Sequence, residues 1–418
     1  MKIIKNIIAL AGLQATNYIL PLLLLPYLAK VLGVNGFGIF VVSVSLMQVF
    51  FVLTDYGFNL TASRDVAVVA DDVDEVAKIF SSVMCLKIIF VGICFLVLIL
   101  LLCFVDFFGK NARLYLVSYI AVLGNAFFPL WLFQGMEALK AASFIQIFSK
   151  TFSFLLVFVF VKSSDDIVLA GFLQGFGGFL SAVLSWFYIP KMLGGGKIKL
   201  PGWHYLVIQL KNGWHVFIST AFINLYTSSN AIILGFVSSS TQVAYYHVAE
   251  KISRAVQFLF NPVSQAVYPK VSSLAHVNPS GAIEFNRRLI KYGLLCFSIL
   301  CVFLYGAAPY LVNKFFGSNF LPSVSVLRVM SVLPLLVVVS NVAGILTMLN
   351  FGMEKVFSGI LMYSCLLNLI LFPVLSWRFQ ALGSAWAVVI VEFFVSGMML
   401  KILKKHGLAL FVWKRGVE

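Results

Sequence analysis

The sequence predicts an all-α polytopic membrane protein with about twelve transmembrane helices in two six-helix lobes. Two observations predict this class. First, 61% of the residues are hydrophobic and only 11% are charged, whereas soluble globular chains carry roughly 25% charged residues, so most of the surface must face lipid. Second, the apolar residues form continuous runs of roughly 20 residues, the length that a helix needs to cross a bilayer. They lack the alternation of barrel strands, so helices must satisfy the backbone hydrogen bonds in lipid.

The positions of the apolar runs and of the basic residues predict the topology. The predicted spans are 7–30, 36–58, 81–105, 114–133, 142–161, 167–189, 213–236, 246–269, 290–312, 325–349, 356–376 and 380–401. Most Lys and Arg residues fall in the segments that this arrangement places in the cytoplasm, and such an excess marks the cytoplasmic side. We therefore expect both termini in the cytoplasm. The net charge of +15 reflects this topology, and we expect no nucleic-acid partner.

A weak internal repeat indicates two halves. Residues 133–137 (FQGME) follow the fourth span, and residues 350–354 (NFGME) follow the tenth. Six helices return the chain to its starting side, so the halves are expected to be parallel repeats. We expect an N-terminal lobe at 1–190, a cytoplasmic linker at 191–212 and a C-terminal lobe at 213–418.

Polar side chains recur at helical spacing in the first two spans of each predicted lobe. We expect them to line a water-filled cavity between the lobes; the alternative is that they join neighbouring helices through hydrogen bonds. Charges in lipid cost roughly 2.5–3.5 kcal/mol each on insertion scales, so those of the eighth span require a wet or paired setting. The candidate cavity residues are Arg254, Lys251, Glu250, Gln257, Asn261, Asn17, Gln48, Asn59, Asn224 and Lys150.

Four ionisable residues lie within the predicted spans. Three of them have two alternative roles, and the fourth has one expected role. Asp55 is the best candidate for a proton- or ion-coupling carboxylate, and a structural hydrogen bond is the alternative. Lys150 is either a cavity cation or a side chain that snorkels to the interface. Lys87 lies near a span end, so we expect it to snorkel. Glu392 is either one partner of a pair or a protonated carboxyl.

The sequence lacks the motifs of several enzyme classes. It has no phosphate-binding G-x-x-x-x-G-K-[ST] loop, no G-x-S-x-G elbow and no histidine spacing of a metal site. We therefore expect a transporter, not an enzyme, without cofactor or metal. Residues 175–178 (GFGG) are expected to pack helices closely, and Pro262 and Pro269 predict a bend in the eighth span.

Five segments carry a resemblance to a known family. They are 31–40 (VLGVNGFGIF), 55–62 (DYGFNLTA), 129–135 (PLWLFQG), 215–220 (HVFIST) and 261–269 (NPVSQAVYP). The chain resembles the Wzx O-antigen flippases, in the polysaccharide transporter branch of the MOP exporter superfamily.

This resemblance implies a V-shaped two-lobe fold in the bacterial inner membrane. It also implies alternating-access flipping of undecaprenyl-diphosphate-linked oligosaccharides to the periplasmic leaflet. The lipid bilayer, an O-antigen polymerase and a chain-length regulator are the further partners that it suggests.

Three other functions compete with a flippase. A MATE-like cation or drug antiporter shares the fold class, and it favours a cavity dominated by carboxylates. An O-antigen polymerase or ligase needs a substantial periplasmic loop, which the predicted topology lacks. A membrane scaffold does not explain polar stripes in matching helices of both halves.

Overall fold

The protein is helical throughout the part of the chain that the computed structural model describes. The backbone is described for residues 2–194 and 201–411, and side chains are described there except at 2–19, 21, 22, 215, 219 and 222–227. Helices joined by turns and short extended segments make up these ranges, and none of their residues forms a β-strand. The predicted all-α class is confirmed.

Two compact units divide the chain between Ile232 and Ile233. The helices of the first unit are α1 (Lys2–Asp55), α2 (Phe58–Val68), α3 (Val73–Phe104), α4 (Asp106–Gly109), α5 (Ala112–Ser118), α6 (Ile120–Phe127), α7 (Leu130–Gly135), α8 (Leu139–Phe160) and α9 (Ile167–Met192). The division falls inside α10 (Trp203–Val237). The helices of the second unit are α11 (Ser240–Gln257), α12 (Asn261–Val277), α13 (Pro279–Phe316), α14 (Ser323–Met330), α15 (Leu333–Asn341) and α16 (Glu354–Lys405).

Long apolar helices dominate both units. Among the described residues, eight helical stretches are long and apolar enough to cross a membrane. The protein is therefore a multi-pass membrane protein. This number is not a count of crossings, because the longest helices contain breaks.

Both α1 and α16 are interrupted at a single residue. Gly33 breaks α1 with φ 68° and ψ 174°, a conformation that is essentially restricted to glycine. Gln380 breaks α16 with φ 54° and ψ −136°. The first break lies between the predicted spans 7–30 and 36–58, and the second lies where the span 380–401 is predicted to begin.

The predicted bend in the eighth span is confirmed. Helix α11 ends at Gln257, and a single 3₁₀ turn (Phe258–Phe260) separates it from α12. Pro262 occupies the first turn of α12, where its missing N–H has no helical partner to lose.

Glycines allow α9 to approach its neighbours closely. A Cβ atom at Gly175 would lie 2.7 Å from the backbone nitrogen of Ala121 in α6, and one at Gly171 would lie 2.6 Å from the Ser118 hydroxyl in α5. Small residues of this kind let membrane helices bring their backbones together. The packing role that residues 175–178 were predicted to have is confirmed, because Gly124 of α6 also abuts the backbone of Gly178.

The two segments of the internal repeat end their helices in the same way. Each contains a left-handed residue, Glu137 (φ 53°) in the first and Gly352 (φ 71°) in the second. In both, the next backbone N–H donates to the carbonyl five residues earlier, at 2.8 and 2.9 Å. This is the hydrogen bond that closes a Schellman-type helix end. The left-handed residue is the fifth of the first segment and the third of the second, so the two segments share a type of helix end, shifted by two residues.

Candidate functional site

A cavity of about 440 Å³ lies inside the first unit. Its walls come mainly from α1, α6, α8 and α9. The polar and charged residues that line it are Gln48, Asn59, Ser118, Asn125, Gln146, Lys150, Ser153, Gln174 and Ser181. Gln48, Asn59 and Lys150 are among the residues predicted from the sequence, so the fold brings these three together.

Helical periodicity places the lining residues on common faces. On α1, Val44, Gln48 and Phe51 recur at intervals of four and three residues, and on α8, Gln146 and Lys150 are four apart. Residues at these intervals share one face of a helix. One face of α1 and one face of α8 therefore form two of the cavity walls.

Lys150 gives the cavity its charge. It is the one charged residue among the described residues that line the cavity. Its ammonium group donates a hydrogen bond to Gln146 Oε1 at 3.4 Å. Of the two roles weighed for Lys150, its position at the cavity wall matches that of a cavity cation.

Asp55 and Lys87 form a buried ion pair next to the cavity. Lys87 Nζ lies 3.8 Å from Asp55 Oδ1, and the Lys87 side chain is only 1% exposed. The same carboxylate oxygen accepts a hydrogen bond from Asn59 Nδ2 at 2.6 Å. The prediction that Lys87 snorkels was wrong, because α3 begins at Val73 and not near 81, which places Lys87 well inside the helix.

The charged residues of the predicted eighth-span stripe lie on one helix, α11. The Glu250 carboxylate pairs with Arg254 at 2.8 Å and lies 3.3 Å from His247 Nδ1. His247 and Arg254 are one helical turn from Glu250 on either side, and Lys251 adjoins it in the sequence. Glu250 and Arg254 are therefore paired, one of the two settings that burial of charge requires.

Two serines of this segment connect helices. Ser253 is fully buried, and its hydroxyl donates to the Met330 carbonyl at 3.0 Å. The Ser264 hydroxyl donates to Asn341 Oδ1 at 2.7 Å. For these two residues the structure matches the alternative of hydrogen bonding between helices. Gln257 Nε2 donates to the Ser253 hydroxyl at 3.1 Å, a bond within α11.

Four further residues complete the set singled out from the sequence. Asn261 is the first residue of α12 and is half-buried. Glu392 accepts a hydrogen bond from the Ser340 hydroxyl at 2.7 Å. The side chains of Asn17 and Asn224 lie outside the described residues, and the expected path between two lobes stays a prediction.

Sequence reasoning left Gln174 out of the candidate site. This residue lines the cavity from α9. The sequence did mark this residue, because Gln174 is the single side-chain amide in the predicted span 167–189. Asn125 and Gln146 were noticed as polar residues, but nothing in their positions along the chain indicates that they share a cavity.

Solved structures of other proteins share this fold. A lipid II flippase, MurJ, in an inward closed conformation matches with a TM-score of 0.72 and 15% identity, over 95% of this chain and 87% of that chain. A multidrug resistance MATE family transporter of the MOP superfamily, in an inward-facing conformation, matches with a TM-score of 0.72 and 13% identity, over 96% of this chain and 98% of that chain. The chain has the fold of these membrane transporters.

The family follows from the sequence matches. Residues 3–275 match the family described as "Polysaccharide biosynthesis protein". An Escherichia coli (strain K12) protein named "Putative O-antigen transporter" is 36% identical over 97% of both chains. A Shigella dysenteriae protein of the same name is 29% identical over 96% of this chain and all of its own.

The chain therefore belongs to the polysaccharide biosynthesis protein family, and the family resemblance predicted from five segments is confirmed. Its relatives are named as transporters, which confirms the prediction of a transporter and not an enzyme.

Proposed function

We propose that the protein is a flippase for undecaprenyl-diphosphate-linked O-antigen repeat units. It moves them from the cytoplasmic to the periplasmic leaflet of a bacterial inner membrane by alternating access, for lipopolysaccharide biosynthesis. The observation that carries this proposal is the nearly full-length similarity to two relatives whose names describe O-antigen transport. The shared fold with a protein named as a lipid II flippase supports it.

The proposal includes about twelve spans, with both termini in the cytoplasm. Helices α1 and α16 contain 54 and 52 residues. At about 1.5 Å per residue each is roughly 80 Å long, far more than the hydrocarbon core of roughly 30 Å. Their breaks at Gly33 and Gln380 support two spans in each. The proposed lobes remain 1–190 and 213–418, joined by the linker 191–212.

Each unit contributes one set of residues to the proposed transport path. Arg254 and Lys251 bind the diphosphate through charge-assisted hydrogen bonds, and side-chain amides bind sugar hydroxyls. The first set is Gln48, Asn59 and Lys150, with Asn17; the second is Arg254, Lys251, Glu250, Gln257 and Asn261, with Asn224.

Asp55 remains the candidate for ion coupling. Its contact with Lys87 supports the alternative, a structural role, since a buried ion pair is costly to break.

A cation or drug antiporter is the second candidate, because a MATE family transporter shares the fold equally well. A cationic substrate favours carboxylates in its binding site. The described lining of the cavity contains Lys150 and no Asp or Glu. This charge favours an anionic substrate over a cationic drug.

Deletion of the gene and complementation test the proposed function. We expect the deletion strain to lose surface O-antigen and to accumulate lipid-linked repeat units, and the wild-type gene to restore display. Because Arg254 is assigned to the phosphate, we expect Arg254→Ala to reduce display about tenfold or more, the effect of losing roughly 1.4 kcal/mol of binding, at an unchanged protein level. Silver-stained lipopolysaccharide gels and immunoblots measure the two quantities.

Arg288→Ala is the matched control, because Arg288 pairs with Glu284 at the same four-residue spacing but with both side chains largely exposed. It is expected to display O-antigen normally. Normal display by Arg254→Ala would contradict the role of Arg254. Normal display by the deletion strain would contradict the proposed function, and drug efflux that depends on the gene would favour the antiporter.

A further inference from the structure

The cavity of the first unit is unusually rich in side-chain amides. Gln48, Asn59, Asn125, Gln146 and Gln174 all line it, and they come from five different helices. Each amide offers both hydrogen-bond donors and an acceptor. Groups of this kind, spread around one space, suit a ligand that carries several hydroxyl groups.

One of these amides has an unused acceptor. Asn59 Nδ2 donates to Asp55, which fixes the orientation of the amide. Asn59 Oδ1 is buried and has no hydrogen-bond partner among the described residues. A buried acceptor without a partner costs about 1–3 kcal/mol, but this oxygen has less than 1 Å² of accessible surface, so the other lining amides provide the contacts for a ligand.

The remaining lining limits the charge and size of the ligand. Lys150 supplies a single positive charge, and no Asp or Glu belongs to the described lining. Phe51, Phe128 and Phe154 supply apolar surface. The volume of about 440 Å³ falls within the range of roughly 300–1,000 Å³ for small-molecule sites, which accommodates a single sugar ring.

We propose that this cavity binds one anionic sugar residue, a carboxylated pyranose of the hexuronate type. Lys150 binds the carboxylate, and the lining amides bind the ring hydroxyls. This inference rests on the proposed function, since it assigns the cavity to part of the transported glycan. The inference goes beyond the proposed function because it specifies a class of sugar.

The charge of the lining favours a carboxylate over the diphosphate of the lipid carrier. A diphosphate carries more than one negative charge, and proteins usually bind such groups with several basic side chains or with arginine forks. The described lining contains one lysine and no arginine. One lysine with several amides matches one carboxylate with several hydroxyls.

A matched pair of sugars tests the proposal on the purified full-length protein in lipid nanodiscs. Methyl β-D-glucuronide and methyl β-D-glucoside differ only in the carboxylate, and pyrophosphate serves as the competing anion. Saturation-transfer NMR and calorimetry measure binding. We expect the unmutated protein to bind the glucuronide about tenfold more tightly than the glucoside, which corresponds to one charge-assisted contact of about 1.4 kcal/mol.

Substitutions on α8 locate the site. Lys150→Met is expected to abolish the preference for the glucuronide, whereas Lys150→Arg retains part of it. Lys140→Met is the matched control, since Lys140 lies on the same helix, is exposed and is absent from the cavity lining. It is expected to retain the full preference.

The outcomes separate this proposal from the proposed function. Equal binding of the two sugars by the unmutated protein overturns the anionic-sugar site, whether or not the variants fold, and leaves O-antigen display untouched. If pyrophosphate displaces bound glucuronide at a lower concentration than free glucuronide does, the cavity binds the diphosphate. That result also overturns the anionic-sugar site. A preference for the glucuronide that depends on Lys150 supports the anionic-sugar site. It does so even if the deletion strain still displays O-antigen, because that result would overturn only the proposed flippase function.

Discussion

In the first unit, Gln48, Asn59 and Lys150 line a cavity, whereas in the second unit Ser253 and Ser264 hydrogen-bond to α14 and α15. Both sets consist of polar residues in helices that also contain many apolar residues, and the sequence does not distinguish them. The difference lies in the partners. A polar group that is bonded to a neighbouring helix contributes to stability, and one that faces an enclosed space is available to a ligand.

Buried charges show the same contrast. Lys150 lines the cavity, while Lys87, in a span of the same unit, is buried against Asp55. In the second unit, Glu250 lies between His247 and Arg254. The fold therefore pairs Lys87 with Asp55 and Arg254 with Glu250, and it places Lys150 at the wall of a cavity. The predictions below test which polar groups stabilise the fold.

The largest effect on stability is expected at Lys87. Lys87→Met leaves the Asp55 carboxylate without its buried partner, which costs about 3–5 kcal/mol. Unfolding by SDS in mixed micelles measures the free energy. Lys78→Met is the control on the same helix, because its pair with Glu75 is exposed and should contribute at most about 1 kcal/mol.

The double variant Asp55→Asn with Lys87→Met separates the two roles of Asp55. If the role is structural, the double variant recovers much of the lost stability together with O-antigen display. Recovered stability without display would indicate the coupling role.

A smaller effect is expected at the packing glycines of α9. In Gly175→Ala the new Cβ would lie 2.7 Å from the backbone of Ala121, and such overpacking costs about 1–3 kcal/mol. The control is Gly92→Ala in α3, where no atom lies within 4 Å of the added Cβ. There alanine should stabilise the helix by about 0.5–1 kcal/mol. Opposite signs in the same unfolding assay are the expected result, and equal effects would contradict the close packing.

The smallest effect is expected at the Ser264–Asn341 hydrogen bond. A double-mutant cycle with Ser264→Ala and Asn341→Ala should give a coupling of about 0.6 kcal/mol, the average for such bonds in a membrane protein. Ser280→Ala removes an exposed serine that also donates to an asparagine and should change stability by less than about 0.5 kcal/mol. A coupling near zero would mean that Ser264 does not join α12 to α15.

The sequence predicts the helices better than the contacts. Continuous apolar runs and the glycines at 175–178 carry local information, so the all-α class and the close packing of α9 follow from them. The pairing of Lys87 with Asp55 depends on how α1 and α3 pack, and no local pattern encodes it. For the same reason the cavity was only partly predicted: Gln48 and Lys150 stand out in apolar spans, whereas the contribution of Gln174 depends on the position of α9.

In the proposed topology, the break at Gly33 sets the side of the membrane on which each later loop lies. No atom lies within 4 Å of the position that a Cβ would occupy there, so packing leaves room for a side chain, and only the backbone conformation excludes one. If α1 continued straight, its two halves would form a single rod too long for one bilayer. One of the proposed crossings would be lost, and each later loop would then face the opposite compartment. Under the proposed topology, the assignment of every later loop to one side of the membrane thus depends on the missing side chain at Gly33.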